Sequence, residues 1–163
     1  MGIKDKAKKI KLLVFDVDGV MTDGSITYDE NGLEYKTFNA KDGHGLAKMA
    51  KSGFITAIIT GRNNGTVDCR ANDLCITELY QGVKNKLPIL QGIMDKYELD
   101  YSEVAYMGDD EPDIQILECV GIAACPNDAV DRVKKVCNFK SKYNGGHGAV
   151  RELCDLIYDV QKR

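Results

Sequence analysis

The sequence predicts a three-layer α/β/α fold built on a parallel central sheet. Strand-length apolar runs alternate with helix-patterned stretches along the whole chain, the pattern of a sheet wrapped on both faces. Three of these runs also end directly in polar groups: Phe15 in Asp16-Val17-Asp18, Ile59 in Thr60-Gly61-Arg62, and Met107 in Gly108-Asp109-Asp110. In open parallel sheets, ligands sit beyond the carboxyl ends of the strands. A length of 163 residues with no visible linker or internal repeat predicts one domain, 1–163.

Ile10 to Phe15 reads as the first buried strand. Two alternating segments follow, Ser25–Tyr28 and Leu33–Phe38, on either side of Asp29-Glu30-Asn31-Gly32. Alternation around Asn-Gly is a hairpin signal, and it places a small flap over about 25–38. Leu46, Met49 and Ala50 lie at helical spacing between Gly45 and Ser52, and Gly53 ends that helix. Phe54–Ile59 is the second strand, 65–73 a helix and Glu78–Tyr80 a short strand. Pro88 suits the first turn of a helix that runs to about Glu98. Val104–Met107 is a further strand, and Pro112 opens the next helix. A strand at 121–124, a helical turn at 129–134, a strand at 136–139 and a helix from Ala149 to about Val160 complete the chain. A flexible loop, 144–148, precedes that last helix.

A hydrophobic fraction of 44% beside 29% charged residues excludes a disordered chain, and a net charge of −3 gives no reason to expect nucleic-acid binding. The lysines at 4, 6, 8, 9 and 11 read as a solvated lead-in to the first strand. No long apolar run follows them, so neither a signal peptide nor a membrane span is expected. The six cysteines form no CxxC pair and lack the clustering of a zinc site. They are expected to be reduced, mostly buried thiols of a cytoplasmic protein.

Asp16 and Asp18, two residues apart after a buried strand, repel each other unless a positive group lies between them. Asp109, Asp110 and Asp113 add to that repulsion. A hard divalent cation resolves it, and few carboxylates with many waters is the set that magnesium prefers. An EF-hand is excluded because Val20 and Met21 occupy positions where a ligand and the turn glycine are required. Thr60 offers a hydroxyl and a backbone N–H to a phosphoryl oxygen, and Lys86 offers a point charge near a helix start.

The order DxD, Thr-Gly, Lys, GDDxxD resembles the haloacid dehalogenase superfamily of phosphatases, whose fold is Rossmann-like. Further segments narrow the resemblance to the capless branch acting on phosphorylated keto-sugar acids. These are Asp16-Val17-Asp18-Gly19-Val20-Met21-Thr22-Asp23-Gly24, Phe38-Asn39-Ala40-Lys41-Asp42-Gly43-His44-Gly45, Tyr80-Gln81-Gly82 with Asn85-Lys86-Leu87, and Gly145-Gly146-His147-Gly148. The resemblance implies that Asp16 is the nucleophile, Asp18 the general acid and base, and Thr60 and Lys86 the groups that stabilise the transferring phosphoryl. It implies magnesium held by Asp16, the Asp18 carbonyl and Asp109, with Asp110 acting through water and Asp113 in support. Gly61, Arg62, Arg70, Asn39 and Asp42 are the implied substrate-binding residues. It further implies a homotetramer in which neighbouring subunits close the site, and a glycine loop before Ala149 that resembles a tail reaching a neighbour. His147 departs from the arginine carried by many relatives.

An eight-carbon acid is expected over a nine-carbon one, because the nine-carbon group carries glutamate where Arg62 stands. Readings from other classes are a phospho-acceptor signalling domain and a non-catalytic assembly domain. The first lacks the hairpin after the first strand and the GDDxxD segment; the second has no need of the full polar set.

Overall fold

The computed structural model describes residues 2–161. Leu12–Phe15 (β1) is buried throughout, as a central parallel strand must be. It pairs in parallel with Ile55–Ile59 (β4) on one side and with Val104–Met107 (β6) on the other. Glu78–Tyr80 (β5) extends the sheet beyond β4, while Ile122–Cys125 (β7) and Phe139–Lys140 (β8) extend it beyond β6. The order is therefore β5-β4-β1-β6-β7-β8, all parallel. The chain works outward from β1 on one side and then returns to build the other. That reversal opens a crevice beyond the carboxyl end of β1.

Side chains alternate across the sheet. Leu13 and Phe15 pack with Leu46, Met49, Leu153 and Ile157, whereas Leu12 and Val14 pack with Leu90, Ile93 and Val133. The helices of the first layer are Ile3–Ala7 (α1), Ala40–Lys51 (α2), Gly65–Asp73 (α3) and Ala149–Gln161 (α7). Those of the second are Lys86–Lys96 (α4), Ile114–Leu117 (α5) and Asp131–Val136 (α6). Outside the sheet, Thr27–Tyr28 (β2) and Glu34–Tyr35 (β3) form the antiparallel hairpin.

Several expectations are corrected. The basic N-terminus folds into α1, which packs on α7 through buried Ala7. The α2 helix begins five residues before Gly45, at Ala40, because Asn39 caps it by accepting from the N–H groups of Lys41 and Asp42. Residues 136–138 do not form a strand; α6 runs to Val136 and the last strand starts at Phe139. All six cysteines are free, but Cys69, Cys75 and Cys119 are exposed. Cys69 falls between Val67 and Ala71, which carry the buried stripe of α3, so its position on the helix faces away from the core.

Candidate active site

Asp16 follows β1, and its N–H donates to the Met107 carbonyl (3.1 Å), which continues the β1–β6 ladder one residue further. Its side chain is thereby fixed at the sheet's carboxyl edge. Asp16 Oδ1 accepts the Val17 N–H at 2.6 Å, and Oδ2 accepts from Lys86 Nζ at 2.7 Å. Lys86 opens α4 and is 4% exposed, so its charge needs partners. The second is Asp113 Oδ1, also at 2.7 Å. The Tyr106 hydroxyl donates to that same oxygen at 2.6 Å. Asp113 Oδ2 accepts the N–H groups of Asp109 (3.0 Å) and Asp110 (3.3 Å). One buried carboxylate thus fixes the lysine, the tyrosine and the turn that carries Asp109.

Burial raises Asp16 to about 6, although the nearby Lys86 ammonium pulls it down. Asp109 rises further, to about 8, through burial and the repulsion of Asp16 and Asp113. Burial opposes the charge on Lys86, but its two carboxylates outweigh that and hold it above the usual lysine range. Asp109 reaches this position only because Gly19 has none of the side chain it would meet. A Cβ on Gly19, whose φ is +83°, would sit 2.0 Å from Asp109 Oδ2.

Carboxylate oxygens of Asp16, Asp109 and Asp113 lie within 4.8 Å of one another. An all-oxygen set whose members repel one another fits a hard divalent cation. Asp113 is the least available, since its two oxygens already accept four hydrogen bonds, against two at Asp16. The Asp18 carbonyl accepts none among the described residues. Asp110 Oδ1 accepts the Glu111 N–H at 2.8 Å.

Asp16, Asp18, Thr60, Gly61, Arg62, Lys86, Asp109, Asp110 and Asp113 all line one cleft of about 470 Å³. Thr60 differs from expectation in one respect. Its N–H donates to the Tyr80 carbonyl at 3.0 Å, so only its hydroxyl is available to a ligand, beside Gly61. Arg62 lines the cleft, but its Nη2 donates to Glu34 Oε2 (2.6 Å) and the Tyr28 hydroxyl (2.8 Å). Its guanidinium therefore ties the hairpin to the sheet.

The other implied substrate residues lie outside this cleft. Asp42 accepts the Arg151 N–H (2.9 Å) and the Gly148 N–H (3.3 Å), and so serves the N-terminus of α7. Asn39 caps α2. Arg70 donates to the Asn39 carbonyl at 3.2 Å, stacks on the Phe38 ring at 5.7 Å and lines a separate cavity. The glycine loop docks within its own chain, the Gly146 N–H donating to the Val20 carbonyl at 2.9 Å.

Two hairpin residues had not been singled out. Lys36 Nζ donates to Asp18 Oδ1 (2.5 Å) and to Glu34 Oε1 (2.6 Å). Arg62 and Lys36 together hold Glu34 at about 2. The available signal was Glu34-x-Lys36, two charges that a strand's period places on one face.

Residues 66–153 match the haloacid dehalogenase-like hydrolase model. The chain belongs to that family. Its relatives extend the match over Asp16 and the hairpin, which precede those residues. The 3-deoxy-D-manno-octulosonate 8-phosphate phosphatase KdsC of Escherichia coli K12 is 42% identical over 96% of this chain and 83% of its own length. The 3-deoxy-D-manno-octulosonate 8-phosphate phosphatase of Moraxella catarrhalis, solved with magnesium, phosphate and KDO, is 41% identical. It superposes with a TM-score of 0.96 over 98% of this chain and 92% of that one. A cobalt-bound deoxy-D-mannose-octulosonate 8-phosphate phosphatase from Haemophilus influenzae is 32% identical, with a TM-score of 0.92 over 96% and 92% of the two chains. Within this haloacid dehalogenase-like hydrolase, the three strand ends that carry polar groups line one cleft together with Lys86 of α4.

Proposed function

We propose that this hydrolase cleaves 3-deoxy-D-manno-octulosonate 8-phosphate to KDO and phosphate, through an aspartyl phosphate on Asp16. The observation that carries this reading is the Asp16 carboxylate, held by Lys86 in a cleft that Asp18, Thr60 and Asp109 also line. The 42% identity to a phosphatase for that ester supports the substrate.

In the first step an Asp16 oxygen bonds to phosphorus, the ester P–O bond breaks, and Asp18 gives its proton to the departing sugar oxygen. In the second, Asp18 takes a proton from water as that water's oxygen bonds to phosphorus and the Asp16–phosphorus link breaks. Lys86 and the Thr60 hydroxyl face the charge on the transferring group, where positioning and electrostatics carry most of the catalysis. The Asp16 carboxylate, the Asp18 carbonyl and Asp109 would hold magnesium, with Asp110 acting through water. When bound, the ion neutralises phosphoryl charge.

Gly61 and Arg62 are the substrate-binding residues of this chain's own cleft. Arg62 in place of glutamate favours the eight-carbon acid over nine-carbon acids such as KDN 9-phosphate or a sialic acid 9-phosphate. The chain acts as one domain in the cytoplasm, and none of the helices among the described residues is long and apolar enough to cross a membrane. Exposed Ile26, Tyr28, Leu33 and Tyr35 concentrate on the hairpin, which supports a homotetramer in which neighbours cover that face.

A panel of phosphorylated keto-sugar acids and simple sugar phosphates, assayed with magnesium and with a chelator, tests this reading. The eight-carbon ester is expected to be hydrolysed best, and only with the metal. A flat profile would overturn the substrate assignment, and turnover in chelator would overturn the metal.

A further inference from the structure

Lys36 stands one residue beyond β3, and its side chain is 2% exposed. An ammonium largely withdrawn from water needs anionic partners, and it has two, Asp18 Oδ1 and Glu34 Oε1. Glu34 is itself held by Arg62, which Tyr28 also meets. A continuous chain, Asp18–Lys36–Glu34–Arg62, therefore runs from the hairpin into the cleft. The outcome at Asp18 is asymmetric. Oδ1 is taken by the ammonium, while Oδ2 has no hydrogen bond among the described residues and belongs to a side chain that lines the cleft.

We propose that Lys36 is a positioning residue for Asp18, fixing one carboxylate oxygen so that the other is presented to the leaving-group oxygen. The inference rests on the reading of Asp18 as the acid of the first step. Without Lys36 the carboxyl group turns about its own axis, and proton transfer depends steeply on such placement. In the first step the effect is confined to esters whose leaving group requires a proton. A sugar alkoxide does; a p-nitrophenolate departs without one. The second step, in which Asp18 takes a proton from water, is common to all esters and does not enter kcat/KM.

The test compares kcat/KM for the eight-carbon sugar-acid phosphate with kcat/KM for p-nitrophenyl phosphate, in the wild type, Lys36→Met and Lys36→Arg. Lys36→Met is expected to lower the sugar-ester kcat/KM by about 30–100-fold and the ratio of the two kcat/KM values by at least about tenfold. Lys36→Arg, which keeps the charge, recovers part of that ratio. Equal falls for the two esters would show that Lys36 only anchors the hairpin, and no fall would show that it does not act on Asp18; either overturns the proposal. Should Lys36→Met fail to fold, Glu34→Gln loosens the same ammonium, with the same expectation of a ratio lowered several-fold. Equal falls there overturn the proposal as well. A wild-type protein that hydrolyses neither ester would instead remove the phosphatase reading beneath it.

Discussion

Lys86 sits between two carboxylates at 2.7 Å each, and its removal strands both of them in a buried site. Lys86→Met is expected to cost about 3–5 kcal/mol of stability, read by denaturant unfolding, and to lower kcat by at least about 100-fold. Retained stability would mean that water or a rearranged side chain replaces the ammonium. The acid groups make a second prediction. The folded protein holds protons on Asp16 to about 6 and on Asp109 to about 8, whereas the unfolded chain releases them at ordinary carboxylate values. The contribution of these two groups to metal-free stability is therefore fullest below the ordinary carboxylate range and is lost as pH rises through about 6 and about 8. Magnesium competes with those protons, so its binding tightens over the same interval. Unfolding midpoints across that range, with and without magnesium, check the sign; a metal-free midpoint that rises with pH would contradict it. The placement of Asp16, Lys86 and Asp109 in one cleft was legible because each follows or opens an element that periodicity reveals. The occupied Thr60 N–H was not, since its partner, Tyr80, comes from a neighbouring strand 20 positions away in sequence.

At the scale of elements, α2 shows why local patterning runs out. The spacing of Leu46, Met49 and Ala50 starts the helix at Gly45, yet it begins at Ala40, and Gly43 and Gly45 allow close packing. A Cβ on Gly43 would lie 2.1 Å from Arg70 Nη2 on α3. Asp42, on the same turn, is 3% exposed and serves the N-terminus of α7, a partner more than 100 residues away. Neither fact is encoded within the window that a helical period samples. Asp42→Ala is thus expected to destabilise the protein by about 1–2 kcal/mol while leaving KM within about twofold of wild type. A large rise in KM at unchanged stability would restore it as a substrate ligand. The α1 helix was missed for a related reason: five residues carry too little pattern, and packing on α7 is what stabilises them.

Over the whole molecule, the parallel α/β class was readable from alternating elements but the strand order was not, and the reversal around β1 explains why residues from 16 to 113 meet in one cleft. Beside that cleft stands the hairpin, whose own strands are two residues each. It is anchored by Lys36, Glu34 and Arg62, and it exposes Leu33 at 58% and Tyr35 at 50%. A hairpin this small is marginal without support, so neighbouring subunits are the expected cover for its outer face. Light scattering on the wild type is predicted to give a tetramer, and Leu33→Glu a smaller species with weaker substrate binding. A wild type that is monomeric at working concentration would contradict that assembly.

The central claim is that Asp16 carries the phosphoryl group. Acid-quenched enzyme from a single turnover, digested and weighed by mass spectrometry, is predicted to show one added phosphoryl group on the peptide containing Asp16, with Asp16→Asn showing neither that adduct nor phosphate release. Phosphate release by Asp16→Asn at the wild-type rate, or an adduct on another residue, would contradict it.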